Sequence, residues 1–240
     1  ADLAGGTLDI WPLGLLHPGA VTVNAALPVR VRLELELDEP QGIVRHRAPD
    51  GTERRLRAED AADDLTAAVA FAVRPEAGVS VRVQSQAAVG SGLGGSSAYA
   101  VALTRGLLAL AGRAADDARV AALGRDLEAR TLGVPTGAQD HWAALAGGVL
   151  AIHHEPGGER VERLAVDATW ISARLTVFDT GIAHHSGMVN WQVIRRRLDG
   201  DRDTSAALQE IAEAAGACRS ALIARDARGV AAAIAAEWAA

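Results

Sequence analysis

The sequence predicts an α+β fold, and three observations carry that prediction. Residues Val29 to Leu37 alternate apolar and polar side chains at the two-residue period of strands, the residues from Thr204 on repeat apolar side chains at helical spacing, and a glycine- and serine-rich loop joins strand to helix between them. The composition agrees. Of 240 residues, 49% are hydrophobic and 22% charged, which suits one large domain or two small ones with a sizeable core.

The chain opens ADLAGGTLDIWPL, a strand-like start that falls into a Gly5-Gly6 turn. Asp9 follows among apolar neighbours, either as a turn or cap residue or as a carboxylate placed to accept from ligand hydroxyls. Ala20 to Leu27 and Val29 to Leu37 read as strands. In the second, Val29, Val31, Leu33, Leu35 and Leu37 alternate with Arg30, Arg32, Glu34 and Glu36, so one face is buried and the charged face is solvated. Ile43 to Arg47 and Thr52 to Arg57 flank Pro49-Asp50-Gly51 as a hairpin. A short amphipathic helix is predicted over Leu65 to Val73, and a strand over Val79 to Ser85.

Next comes the stretch on which function turns, Gly90 to Ala98, GSGLGGSSA, with four glycines and three serines in nine residues. Glycine reaches positive φ and admits a ligand to the backbone without a Cβ in the way. The helix that follows, Ser96 to Ala111, presents unpaired N–H groups and a partial positive charge, so a phosphate is held there with no basic side chain. The candidate phosphate-binding residues are therefore Gly90, Ser91, Gly92, Leu93, Gly94, Gly95, Ser96 and Ser97. A lysine-bearing phosphate loop is excluded, because all 24 basic residues are arginine. The dinucleotide fingerprint is excluded as well, since its glycines open a helix after the first strand. The plain alternative is a flexible turn before an ordinary helix.

Ala115 to Leu132 reads as a second helix carrying Glu128. Asp140 follows a Pro-Thr-Gly turn at the start of a short helical stretch, where helix capping competes with a chemical role. Gly148 to His153 and Arg160 to Val166 form an antiparallel pair around Gly157-Gly158; adjacent His153 and His154 point to opposite faces and cannot make a metal pair alone. Ala173 to Phe178 is predicted as a strand, Met188 to Leu198 as a helix, and Thr204 to Ala224 and Ala227 to Ala240 as alanine-rich packing helices.

Composition narrows the class. The single cysteine, Cys218, allows no internal disulfide and no cysteine metal site, and it points to a reducing, cytoplasmic setting. No apolar run reaches the roughly 20 residues that span a bilayer. A net charge of −6 argues against nucleic acid or an anionic membrane as partner.

GSGLGGSSA resembles the second motif of the GHMP kinases, PxGxGLGSSSA, with Ala88 at the place of its proline. Other segments resemble the sugar-directed branch of that family, which includes heptose-phosphate kinases, fucokinases and galactokinases. AGGTLD matches its first motif, GAVTVNAAL the segment after it, EARTLGVPTGAQD the run from a Mg²⁺-binding glutamate to a catalytic aspartate, and PTGAQDHWAALAGG the segment around that aspartate. DTGIAHHSG resembles a YTGxxR segment, with His184 at the arginine position.

The resemblance implies an N-terminal domain like ribosomal protein S5 domain 2 over residues 1–168, and an incomplete ferredoxin-like domain over 169–240. It implies ATP and Mg²⁺ as cofactors, Asp140 as base or orienter, Ser96 and Glu128 on the metal, and Asp9, Thr7, His184 and Gly181 near a sugar or sugar phosphate. A homodimer is left open. The first-motif arginine would precede Ala1, and the third, glycine-rich motif has no match after Ala215, so either the sequence stops short of the natural end or part of the site wall is lost. The competing reading is a catalytically silent sugar- or nucleotide-binding protein on the same fold.

Overall fold

A computed structural model describes residues 1–88, 90–178 and 187–240, without the side chains of 187–189. Gly181 and His184 lie outside the described residues. In chain order the strands and helices are β1 (Asp2–Ala4), β2 (Val21–Ala25), β3 (Val31–Glu36), β4 (Ile43–Arg47), β5 (Glu53–Leu56), α1 (Leu65–Val73), β6 (Gly78–Ser85), α2 (Gly95–Leu110), α3 (Asp117–Leu132), α4 (Gln139–Ala146), β7 (Val149–Glu155), β8 (Gly158–Leu164), α5 (Ala168–Ser172), α6 (Gly187–Leu198), α7 (Arg202–Ala224) and α8 (Ala227–Ala239). Short 3-10 turns occupy Gly6–Asp9, Leu13–Leu16 and Ala58–Ala62.

The chain forms two compact units, residues 1–27 with 134–240, and residues 28–133. The first holds an antiparallel sheet in the order β1-β2-β7-β8. Apolar side chains of this sheet, among them Leu3, Val21, Val23 and Ala151, bury against Ala215, Cys218 and Leu222 of α7 and Val230 and Ala233 of α8. Every residue of β2 is buried, including Thr22 and Asn24. A second cluster joins Leu8, Ile10 and Leu13 to Ile194 of α6 and Leu208 of α7. The last helices thus complete the core of the first strands. Compactness accordingly divides the chain differently from the 168/169 boundary suggested by resemblance.

The second unit holds a mixed sheet in the order β3-β6-β4-β5, in which only β4 and β6 run parallel among its pairs. Its exposed face carries cross-strand ion pairs such as Arg82–Glu34 at 3.4 Å and Arg47–Glu53 at 3.6 Å, so the alternating Arg and Glu of β3 are a solvated face as expected. On the other face Gly106 of α2 lets the helix close on Leu35; a Cβ there would strike the leucine methyl.

Ala173 to Phe178 does not form the expected strand: 173–174 are a turn and 175–178 carry no regular element. They follow the short helix α5 as irregular chain, with Val177 and Phe178 exposed. Alternation makes a strand only where a neighbour supplies the ladder, and no described strand pairs with this segment.

Helix starts fall into two groups. Asp64, Asp116, Asp167, Asp201 and Asp226 each accept a backbone N–H at the start of α1, α3, α5, α7 and α8, with distances from 2.7 to 3.0 Å. By contrast α2 begins on Gly94 and α4 on Ala138, neither of which supplies a side-chain cap. Those two starts carry the candidate site residues. Among the described residues no helix is long and apolar enough to cross a membrane.

Candidate functional site

In the second unit the glycine loop has the geometry its sequence called for. Gly90, Gly92 and Gly94 hold φ of 75°, 67° and 69°, a left-handed setting at alternate positions, and the N–H of Ser91 between the first two closes a turn on the Ala88 carbonyl at 3.2 Å. Gly94 passes directly into α2, whose first N–H groups no side chain caps. An uncapped helix start of this kind is suited to an anion with several oxygens.

Ser97, on the first turn of α2, donates from Oγ to Oε2 of Glu128 on α3 at 2.8 Å. Both are buried, at 5% and 3% exposure. Glu128 also sits within a turn of the C-terminal end of α3, where the helix field opposes a negative charge. Burying a carboxylate is costly, and the Ser97 hydroxyl supplies part of its compensation. The hydroxyl that reaches Glu128 is Ser97, whereas Ser96, expected on the metal, is exposed. Helical periodicity holds the reason: Ser97 shares a stripe with Ala100, Val101, Thr104 and Leu108, all buried, and Ser96 is one step out of phase. A hydroxyl and a carboxylate are hard oxygen donors of the kind Mg²⁺ takes alongside phosphate and water. Among the described residues no group of three or more His, Cys, Asp or Glu is placed to hold a metal ion.

The first unit holds the acids. Asp140 is the second residue of α4, half-buried, and the helix N-cap is Ala138, so Asp140 is not the cap. His141 beside it is fully buried, a neighbour of the acid rather than a surface contact. Asp9 ends the 3-10 turn Gly6–Asp9 at 5% exposure, and its Oδ2 accepts the backbone N–H of Gln139 at 2.9 Å. Thr7 lies half-buried on the same turn. Asp2 was not singled out from the sequence. It keeps an exposed flank, but its carboxyl end packs over Gly6 and accepts from the Gln139 side chain. Glu237 of α8 closes the group by accepting the N–H of Gly5 at 2.9 Å. Asp2 and Glu237 carried no motif in the sequence, since they reach this place only through the packing of β1 and α8.

Crowded acids titrate late. Burial pushes the Asp9 carboxyl well above the usual carboxylate range, with the charges of Asp2 and Asp140 adding to it and the Gln139 N–H opposing. Removal from water and then the neighbouring Glu237 push Asp2 up to about 7, again against the Gln139 hydrogen bond. A raised carboxyl is protonated more readily in the fold than in the unfolded chain. Its contribution to stability is therefore complete below the ordinary value of 3.8 and is lost as pH rises through about 7. Thermal melts of the parent are expected to fall between about pH 4 and pH 8, and the fall is expected to be shallower in Asp2→Asn, which has no proton to lose there.

Across the sheet, His154 is a structural residue. It shares a 2.9 Å hydrogen bond with Thr22, and burial followed by the adjacent His153 lowers it to about 4. His153 instead pairs with Glu162 at 2.9 Å, so the two histidines do point apart.

Residues 58–148 match the family model described as GHMP kinases N terminal domain, a span that includes the glycine loop, Glu128 and Asp140. No curated protein is similar enough in sequence to match. Among solved structures, a D-glycero-D-manno-heptose 1-phosphate kinase from Bacteroides thetaiotaomicron is similar at a TM-score of 0.73 and 18% identity, over all of this chain and 76% of that one. Lactococcus lactis galactokinase complexed with galactose is similar at 0.65 and 12% identity, over 98% and 72% of the two chains. Streptococcus pneumoniae phosphomevalonate kinase in complex with phosphomevalonate and AMPPNP is similar at 0.68 and 14% identity, over 98% and 75%. At these identities the likeness is one of fold. Residues 58–148 thus match a GHMP kinase N-terminal domain, and the chain has the fold of the GHMP kinases.

Proposed function

We propose that the protein is an ATP- and Mg²⁺-dependent small-molecule kinase that phosphorylates a hydroxyl of a sugar or sugar phosphate. The observation that carries this reading is the start of α2, a 16-residue helix opened by left-handed glycines, without a side-chain cap, and with the buried Ser97–Glu128 pair on its first turn. Loop and helix amides from Gly90 to Ser97 would hold the triphosphate. Ser97 and Glu128 would hold Mg²⁺, which when bound neutralises charge on the phosphoryl group in transfer. Asp140 accepts the proton of the attacking hydroxyl or orients it. Thr7 of the first turn, with Gly181 and His184, is proposed near the acceptor. The solved structures similar in fold include kinases named for a heptose phosphate and for galactose, which supports a sugar as the acceptor class. The partition into residues 1–168 and 169–240 and a cytoplasmic location are proposed with the same reading.

Purified protein given ATP, Mg²⁺ and a panel of sugars and sugar phosphates is expected to release ADP with at least one of them. Thermal stabilisation by nucleotide without turnover of any acceptor would instead mark a silent binding protein. Gly94→Val is expected to erase the ATP-induced rise in Tm, because a β-branched residue in the left-handed region costs about 1–2 kcal/mol and puts a side chain at the mouth of the helix.

A further inference from the structure

Asp9 was expected beside the sugar, yet its contacts point inward. The N–H of Gln139, the first residue of α4, has no side-chain acceptor on its own helix start. Asp9 supplies one from 130 residues upstream. Space around it is closed: a Cβ on Gly137 would strike both carboxylate oxygens of Asp9. Gln139 is held from two further sides, since Asn24 of β2 donates from Nδ2 to its carbonyl at 2.9 Å and its side-chain amide donates to Asp2 of β1. The residue immediately before Asp140 is therefore tied to three separate segments.

We propose that Asp9 is a positioning residue: by capping the first turn of α4 it fixes the backbone that carries Asp140, and it does not bind the acceptor. The inference rests on the reading of Asp140 as the residue that meets the acceptor hydroxyl. Asp9 differs from the other helix-capping aspartates of the chain in being buried and remote in sequence, so it couples the N-terminal turn to the chemistry. Gly137 belongs to the same device, because its missing side chain is the room Asp9 occupies.

Three variants test this, with steady-state kinetics and amide hydrogen exchange read at Gln139. Asp9→Ala removes the acceptor and is expected to lower kcat by at least about tenfold, while the acceptor KM stays within about threefold, as misplacement of a reacting group does. Asp9→Asn keeps an oxygen that accepts from Gln139 and is expected to hold kcat within about threefold of the parent. Gly137→Ala leaves Asp9 in place chemically but pushes it aside, and is expected to reproduce the kcat loss of Asp9→Ala. Exchange at the Gln139 amide is expected to quicken by at least about tenfold in Asp9→Ala and Gly137→Ala and to stay unchanged in Asp9→Asn. A rise in acceptor KM of about tenfold or more in both Asp9 variants, with exchange at Gln139 unaltered, overturns the proposal and returns Asp9 to the acceptor site. If Asp9→Ala does not fold, Asp9→Asn decides alone: a lost kcat with normal exchange at Gln139 overturns the proposal. If the parent phosphorylates nothing, the kinase reading fails by itself, and exchange in Asp9→Ala still shows whether Asp9 holds α4.

Discussion

Asp140→Asn is expected to lower kcat by about 10²–10⁴-fold, the range over which a positioned acid or base contributes. The amide keeps the size and the hydrogen-bonding reach of the carboxylate but cannot take the hydroxyl proton. Because Asp140 is half-buried and does not cap its helix, the change leaves α4 intact. ATP is therefore expected to raise Tm equally in the variant and the parent, since the proposed nucleotide loop belongs to the other compact unit. Turnover at the parental rate would remove Asp140 from the chemistry. Loss of ATP stabilisation together with turnover would show that the substitution had disturbed more than the proton acceptor.

Glu128→Gln should produce the next largest effect, seen in the metal rather than in the nucleotide. Glutamine still accepts from Ser97, so the 2.8 Å contact survives, but the charge that favours a divalent cation is gone. The Mg²⁺ concentration for half-maximal rate is expected to rise by about 10–100-fold, with much of the rate restored at saturating Mg²⁺. A thermal melt is expected to show the variant folded, since the hydrogen bond from Ser97 is kept. Titration of activity against Mg²⁺ at fixed ATP, beside a thermal melt, reads both. An unchanged Mg²⁺ requirement would assign the Ser97–Glu128 pair to packing between α2 and α3.

Local chemistry was legible in the sequence; assembly was not. The helix over Leu65–Val73 has the expected bounds but is not amphipathic, since Thr66 to Ala70 are all buried, and the hairpin of β4 and β5 formed around Pro49-Asp50-Gly51 as the turn residues required. The glycine loop could be read because left-handed backbone needs glycine and the need shows in composition. That Ser97 rather than Ser96 meets Glu128 could have been read by asking which serine falls on the buried stripe of its helix. Residues 175–178 show the opposite limit, since alternation states what a strand would bury and not whether a partner is there. Asp9 shows it too. Its type, its neighbours and its place after a turn suit a ligand contact as well as a cap, and only the meeting with Gln139 separates them. The cluster with Asp2 and Glu237 joins the two ends of the chain, which no local pattern can announce.

The missing start signal on α4 bears on the order in which the molecule comes together. An eight-residue helix is not self-sustaining in water, and this one lacks its own cap. Its capping contact is a long-range one, made only when a long loop has closed against chain entropy. During synthesis Asp9 leaves the ribosome well before the segment it serves, so the cap waits for its helix. The residue proposed to handle the proton thus sits on a helix start that is capped only in a chain whose two distant parts have met.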